Sequence, residues 1–473
     1  MAKNSGQTRR MRLPLWTGWL VWACTVALLV AAAAFAAGPL ARAQGWRVDG
    51  GDPSLDPQII AGIQDAPAGN GVIGQASEPV YQGVDAQQVA AVLAANQPTL
   101  PGSYGGAIAD LDGNGLSFES DAHTPLAPAS TLKVMTATAI IDALGAEHRF
   151  TTSVVMTSPN AIVLVGGGDP LLASTATSYG ASATIELPNT ADLARRTAAA
   201  LKAQGIAQVS VGYDDSLFGG AVWHADWPQG DRQFVAPISA LTVDEGAGAP
   251  GTSSGSQAAA QTFADQLRAE GIEVNGEVAA ASGSGGSELA GVDSAPLGLL
   301  VQEMLTHSDN FIAEVLLRQL AIGEGQPGSF EGGTAALTTS LTELGLWDDG
   351  QLIADGSGLS NNNRITPAAL VAALQQAAAR PERSAVLAGL PVAASTGTLG
   401  TRFADEQSAA ARGLVRAKTG TLDGVSSLAG FTPTSDGSLV AFAFIGNGLP
   451  TDQDVRTWFD HVAAALAGCN CAA

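Results

Sequence analysis

The stretch Pro128-Ala129-Ser130-Thr131-Leu132-Lys133-Val134-Met135 decides how this chain is read. An apolar helical pattern runs from Thr131 to about Leu144, and i, i+3 spacing puts the Lys133 ammonium on the same helix face as the Ser130 hydroxyl. A hydroxyl becomes a nucleophile only when a neighbouring base removes its proton. Lys133 can do this if burial and a nearby cation lower its pKa. Lysine is scarce here, confined to Lys3, Lys133, Lys202 and Lys418, so each placement carries information. Lys418 begins Lys418-Thr419-Gly420-Thr421 at the end of a strand-like run, and Ser308-Asp309-Asn310 follows an apolar helical stretch between the two.

Each piece alone is a weak signal, since Ser-Asp-Asn is also an ordinary helix cap. Together and in this order they predict acyl transfer by an activated serine. Ser130 is the candidate nucleophile and Lys133 its base. Ser308 relays a proton to the leaving group, and Asn310 holds the substrate amide. Lys418, Thr419, Gly420 and Thr421 form a cationic, hydroxyl-rich strand end suited to a terminal carboxylate. The backbone N–H groups of Ser130 and Thr421 are the candidate oxyanion hole. Lys418 is the expected cation that depresses Lys133.

Outward from this core, Gly105–Ala109 and Leu116–Phe118 flank the turn Asp112-Gly113-Asn114-Gly115 as a hairpin. Downstream, 151–157 and 161–165 read as strands, 191–203 as a helix and 208–213 as a strand. A helix is expected over 257–270 and a strand over 272–280, with Gly/Ser loops at 246–256 and 282–287. Helical segments follow Pro296, then strands near 413–418, 425–431 and 438–445 and a closing helix over about 452–467. Helices and strands mix without regular βαβ alternation, so the fold class is α+β.

The chain has 473 residues, 22 Lys plus Arg against 44 Asp plus Glu, and a formal charge of −22. Such an acidic balance argues against nucleic acid as a partner and against electrostatic attachment to anionic lipid. Three cysteines exclude a disulfide scaffold. Cys469 and Cys471 read as a terminal tie, either within the chain or to another chain.

Lys3, Arg9, Arg10 and Arg12 precede Leu13–Leu40, a run without charge, so residues 1–43 form a signal peptide or membrane anchor. Ala41-Arg42-Ala43 favours cleavage, whereas the length of the apolar run favours a retained anchor. Either way the remainder is expected outside the cytoplasm, secreted or held on the outer face of the membrane. Residues 44–82, rich in Gly and Pro, read as a spacer.

The three motifs resemble those of penicillin-binding proteins and class A β-lactamases. Gly166-Gly167-Gly168-Asp169-Pro170, Tyr213-Asp214-Asp215-Ser216-Leu217-Phe218, Asp355-Gly356-Ser357-Gly358-Leu359-Ser360 and Gly397-Thr398-Leu399 further resemble the class C low-molecular-mass penicillin-binding proteins, peptidase family S13. The resemblance implies a serine DD-peptidase/β-lactamase-like transpeptidase domain, an antiparallel sheet flanked by helices, assembled from 83–150 and 286–473. A smaller domain would be inserted at 151–285. It also implies D-Ala-D-Ala carboxypeptidase or endopeptidase action on peptidoglycan stem peptides through an acyl-serine, covalent capture of β-lactam antibiotics, and no metal or organic cofactor. Asn361 stands where many relatives have Arg. The alternatives are a β-lactamase or esterase on the same scaffold, told apart by rapid turnover of the acyl-enzyme, and a non-catalytic wall-binding protein.

Three decoys remain. Gly251-Thr252-Ser253-Ser254-Gly255 matches a nucleophile elbow but lies in a Gly/Ser loop rather than between strand and helix. Asp110–Asp121 imitates a calcium loop, yet a strand precedes it and position twelve is Asp. The histidines lack metal-ligand spacing; His307 reads as a cap or packing residue, and His224 as part of a packed loop with Trp223 and Trp227.

Overall fold

The computed structural model describes residues 83–96, 101–113, 115–179, 185–246, 255–450 and 452–472. The N-terminal apolar run, the whole 44–82 spacer and Gly251–Ser254 lie outside them.

In chain order, α1 (Ala86–Ala95), capped by Asp85, leads to β1 (Ser103–Asp110) and β2 (Phe118–Ser120), the expected hairpin. A 3-10 turn, Ala129–Thr131, runs straight into α2 (Leu132–Leu144). Then come β3 (Thr151–Ser158), β4 (Ala161–Val165), the short pair β5 (Ser178–Tyr179) and β6 (Ile185–Glu186), α3 (Thr190–Ala203) and β7 (Gln208–Asp214). After α4 (Gly255–Ala269) lie β8 (Glu273–Val274), β9 (Ala279–Ala280) and β10 (Ser287–Asp293). Helices α5 (Leu297–His307), α6 (Asn310–Gly323), α7 (Phe330–Glu343), α8 (Pro367–Ala379) and α9 (Ser384–Ala388) follow. The chain closes with β11 (Arg416–Leu422), β12 (Val425–Pro433), β13 (Leu439–Asn447) and α10 (Asp452–Ala467).

Five strands form an antiparallel sheet in the order β11-β12-β13-β1-β2. Period-2 alternation sends successive side chains to opposite faces. Ala107, Ala109, Ala441, Ala443 and Ile445 face the layer containing α2, α5, α6 and α8. Ile108, Val440, Phe442 and Phe444 face α1 and α10. Small side chains on the first face let the helices approach the sheet closely. Helix α2 is buried on all sides from Leu132 to Ile141, as an apolar helix at the centre of a domain must be.

The second sheet has the order β10-β3-β4-β7-β8, with β9 also on β7; β4, β7, β8 and β9 pair in parallel, and the rest is antiparallel. Two expectations need correction. The strand read over 272–280 is two short pieces, because Asn275-Gly276, with Gly276 at φ 74°, turns the chain between them. The boundary placed at 285 cuts through this sheet: β10 returns to pair with β3, so the inserted unit extends to Asp293. Its segment between β7 and α4 leaves the sheet and packs on the body, where Trp227, Val235 and Ile238 share a core with Phe311, Val315 and Phe330. His224 lies edge-on to Phe330 in this cluster.

Cys469 and Cys471 form a disulfide within the chain. The terminal segment it ties meets the first described residues, where Asp85 N–H donates to the Cys471 carbonyl at 2.7 Å.

Candidate active site

Ser130 sits at the start of α2, on a segment pinned from both sides. The Asn447 side chain brackets Ala127, accepting from its N–H at 2.8 Å and donating to its carbonyl at 3.0 Å. The Pro128 carbonyl accepts from Thr131 Oγ1 at 2.7 Å and from Ser427 Oγ at 2.6 Å. Ala129, immediately before the serine, has φ 48°, a left-handed conformation that costs a non-glycine residue about 1–2 kcal/mol. The surrounding hydrogen bonds hold it there.

One turn on, Lys133 is fully buried and its Nζ makes three hydrogen bonds: to Ser130 Oγ at 3.1 Å, Asn310 Oδ1 at 2.7 Å and the Ser357 carbonyl at 2.7 Å. Burial pushes its pKa down to about 8, against the upward pull of Glu314, Asp355 and Asp309. Burial, the first expected cause, is thus what depresses Lys133, and the expected repulsion is shared with Lys418. That lysine is held well below its ordinary range by burial and then by Lys133.

Ser308 occupies the joint between α5 and α6 at φ 60°. Asp309 caps α6 by accepting from Ile312 N–H at 2.8 Å, which places Asn310 on its first turn. Asn310 Nδ2 donates to the Phe234 carbonyl at 3.1 Å, so one amide links the base to the inserted segment.

On the opposite wall runs β11, the edge strand of the main sheet. Gly420 is required by contact: a Cβ there would lie 2.1 Å from Ser427 Oγ, 2.6 Å from the Pro128 carbonyl and 3.0 Å from Ser130 N. Thr419 Oγ1 and Thr398 Oγ1 are 2.8 Å apart, which ties β11 to the Gly397-Thr398-Leu399 turn. Lys418 does not stand free at the strand end as its sequence context suggests; it is fully buried, and its Nζ donates to the Thr419 carbonyl at 2.9 Å. Thr421 is exposed and reaches the cleft.

The loop Asp355–Ser360 completes the back of the site. Asp355 is buried and accepts from Gly358 N–H at 2.8 Å, Ser360 N–H at 2.6 Å, Asn363 Nδ2 at 2.9 Å and Trp227 Nε1 at 2.8 Å. Gly358 has φ 83°, and a Cβ there would sit 1.9 Å from the Ala129 carbonyl oxygen. Burial and Asp355 push the Glu314 carboxyl up, opposed by hydrogen bonds from Ser357 and Gly356. Sequence reasoning gave no role to Glu314, Thr398 or the individual residues of this loop; the sole local signal for Glu314 was its i, i+4 spacing from Asn310.

Ser130, Ser308, Asn310, Gly358, Asn361 and Thr421 line one cleft of about 590 Å³. The structure thus gathers all three motifs around Ser130. Among the described residues no cluster of metal-ligating side chains occurs. His307 pairs with Glu303 at 3.3 Å along α5.

The model of the D-Ala-D-Ala carboxypeptidase 3 (S13) family matches residues 86–255 and 251–467. The chain belongs to this family. Over 472 residues it is 34% identical to carboxypeptidase DacB of Mycolicibacterium smegmatis, covering 96% of this chain and 97% of that one. It is 29% identical to a D-alanyl-D-alanine carboxypeptidase of Actinomadura, over 74% of this chain and 79% of the relative. The chain shares its fold with penicillin binding protein 4 (dacB) of Haemophilus influenzae. That structure superposes with a TM-score of 0.64 at 24% identity over 80% of this chain and 98% of the other.

Proposed function

We propose that this S13 member is a serine D-Ala-D-Ala carboxypeptidase of peptidoglycan stem peptides, with Ser130 as nucleophile and Lys133 as general base. The observation that carries the assignment of roles is the 3.1 Å contact from Lys133 Nζ to Ser130 Oγ inside a cleft shared with Ser308, Asn310 and Thr421. A lysine with a pKa near 8 has a substantial neutral fraction at working pH, which a general base needs.

In this mechanism neutral Lys133 takes the Ser130 proton as Oγ adds to the carbonyl carbon of the penultimate D-Ala. The oxyanion is received by the backbone N–H groups of Ser130 and Thr421. The C–N bond then breaks, and the proton passes from Lys133 through Ser308 to the departing amine of D-Ala. Water attacks the acyl-serine carbonyl and gives a proton to Lys133; the C–Oγ bond breaks, Lys133 returns that proton to Ser130 Oγ, and the shortened stem leaves with a new terminal carboxyl group. Asn310 holds the stem amide, while Lys418, Thr419, Gly420 and Thr421 receive the terminal carboxylate. An incoming carboxylate offsets the two-lysine repulsion and favours protonated Lys418. Cleavage of a cross-bridge follows the same steps with a larger leaving group. β-Lactams enter as acylating substrates whose leaving group stays tethered.

The reaction belongs outside the cytoplasm, where the basic head and apolar run of residues 1–40 would send the rest of the chain. No helix among the described residues is long and apolar enough to cross a membrane.

The test is intact mass of the full chain with benzylpenicillin over time, beside Ser130→Ala. A long-lived single adduct on the wild type, absent from the variant, is the expected result. An adduct that disappears as hydrolysed drug accumulates would make the chain a β-lactamase, and an adduct that survives Ser130→Ala would remove Ser130 as nucleophile.

A further inference from the structure

Helix α6 carries Asn310, Glu314 and Arg318 at four-residue intervals, on one face. The first holds Lys133 directly. The second is fully buried and holds Lys133 through the neighbouring loop. Both Glu314 oxygens lie 3.1 Å from Gly356 N–H, and Oε1 accepts from Ser357 N–H at 2.8 Å. The Ser357 carbonyl in turn accepts from Lys133 Nζ at 2.7 Å, and the Gly356 carbonyl accepts from Thr136 Oγ1 at 2.7 Å. The two backbone N–H groups, with the Ser357 hydroxyl, favour the ionised carboxyl against the burial and the Asp355 charge that push it up to about 8. The third, Arg318, turns away to the Gly219 and Ala221 carbonyls at 3.0 and 2.7 Å.

We propose that Glu314 is a positioning residue for the acylation step, fixing the peptide that orients Lys133 and setting by its charge how readily Lys133 gives up its proton. The inference rests on the reading of Lys133 as the base for Ser130. The charged groups around that base are Glu314 from α6, Asp309 from its cap, Asp355 from the loop and Lys418 from β11, with Arg318 one turn beyond Glu314. Asp355 is already saturated by four donors and Asp309 is engaged as a helix cap. Of the groups that pull Lys133 upward, Glu314 pulls most strongly.

Glu314→Gln separates the two contributions. The Gln oxygen can keep the contacts Oε1 makes to Gly356 and Ser357, while the charge is lost. The experiment is the second-order rate of acylation by benzylpenicillin across pH 5–10, with adduct mass and melting temperature, for wild type and E314Q. The acid limb of the E314Q profile should move down by up to about one pH unit, the size of shift that one nearby, fully ionised opposite charge makes. The alkaline plateau should stay within about threefold of wild type. Glu314→Ala, which also strands the two N–H groups, should lower the plateau by at least about tenfold. A folded E314Q with an unmoved or raised limb would overturn the proposal, as would an E314Q that fails to fold, since Glu314 would then be a structural residue only. If the wild type forms no adduct at Ser130, the underlying reading fails first, a result distinct from an acylated wild type whose limb ignores Glu314.

Discussion

The body of the molecule and its inserted sheet domain are built under different rules. In the body, Lys133, Lys418, Glu314 and Asp355 are all buried behind one cleft, and Arg318 is buried two turns along α6 from Asn310. The inserted sheet buries Val154, Ile162, Leu164, Val209, Val211 and their apolar neighbours, and keeps its ion pairs, such as Arg195 with Asp192, at the surface. Buried charges lower stability unless geometry satisfies them, and surface pairs add little. The body therefore spends stability on chemistry, and its backbone has to be exact where the chemistry sits. The inserted sheet is an ordinary core that tolerates change. Between them lies the 215–246 segment, inserted in sequence but packed on the body, which delivers Trp227 Nε1 to Asp355 and the Phe234 carbonyl to Asn310.

The widest separation between the two regions should come from glycines. Gly358 and Gly205 both have positive φ, 83° and 72°. At Gly358 an added Cβ meets the Ala129 carbonyl oxygen at 1.9 Å, whereas at Gly205 nothing lies within 4 Å. Gly358→Ala should cost upward of about 3 kcal/mol and displace the Ser130 turn, so that acylation is lost even where the chain still folds. Gly205→Ala pays only the left-handed conformation, about 1 kcal/mol, and acylation should be unchanged. Urea unfolding with benzylpenicillin labelling reads both. Equal costs at the two sites would break the contrast.

A smaller effect is expected at the bridge. Trp227→Phe removes one of four donors to buried Asp355 while leaving most of the aromatic packing against Phe330, whose ring centroid is 5.4 Å away. Losing a donor to a buried charged group costs about 2 kcal/mol. Asp355 also accepts from Gly358 N–H, so the loop behind Ser130 should loosen and acylation slow several-fold. A variant that loses stability without any change in acylation rate would show that the inserted segment supports the body without tuning the site.

How much of this was legible in the chain follows the same division. Hairpin β1–β2, helix α2 and the strands β3 and β4 declare themselves locally, through Asp112–Gly115, an apolar helical run and alternation. Ser130, Lys133, Ser308, Asn310 and the Lys418–Thr421 strand were readable as motifs because each is a short contiguous pattern. The contacts that give Glu314, Thr398 and Trp227 their places were not, because their partners lie 42, 21 and 128 positions away and only the fold joins them. The burial of Lys418 was equally hidden: sequence gives a lysine's neighbours along the strand but not the layer it points into. Helix α1 went unread beside a low-complexity spacer, although Asp85 caps it in an ordinary way. The strand over 272–280 was over-read because its apolar pattern outweighed the Asn275-Gly276 turn inside it.

The mildest expected effect tests whether the inserted region's tolerance has an exception where it joins the body. Asp169, in the Gly166–Pro170 link, is buried; its Oδ1 accepts from Leu171 N–H at 2.9 Å and its Oδ2 has no hydrogen-bond partner. Burial pushes its pKa up to about 7, against about 3.9 in an unfolded chain. Between those values the folded state binds more protons than the unfolded state, so this carboxyl lowers stability progressively as pH rises from about 4 to 7. Asp169→Asn keeps the acceptor to Leu171 and removes the ionisation. The variant should therefore gain on wild type by up to about 1.4 kcal/mol for each pH unit between about 4 and 7, with acylation unchanged. Other titrating groups are shared and cancel in the difference between melting temperatures at pH 5 and pH 8. A difference that does not grow with pH would mean that Asp169 finds a compensating donor when charged, and the link would then be as ordinary as the sheet it serves.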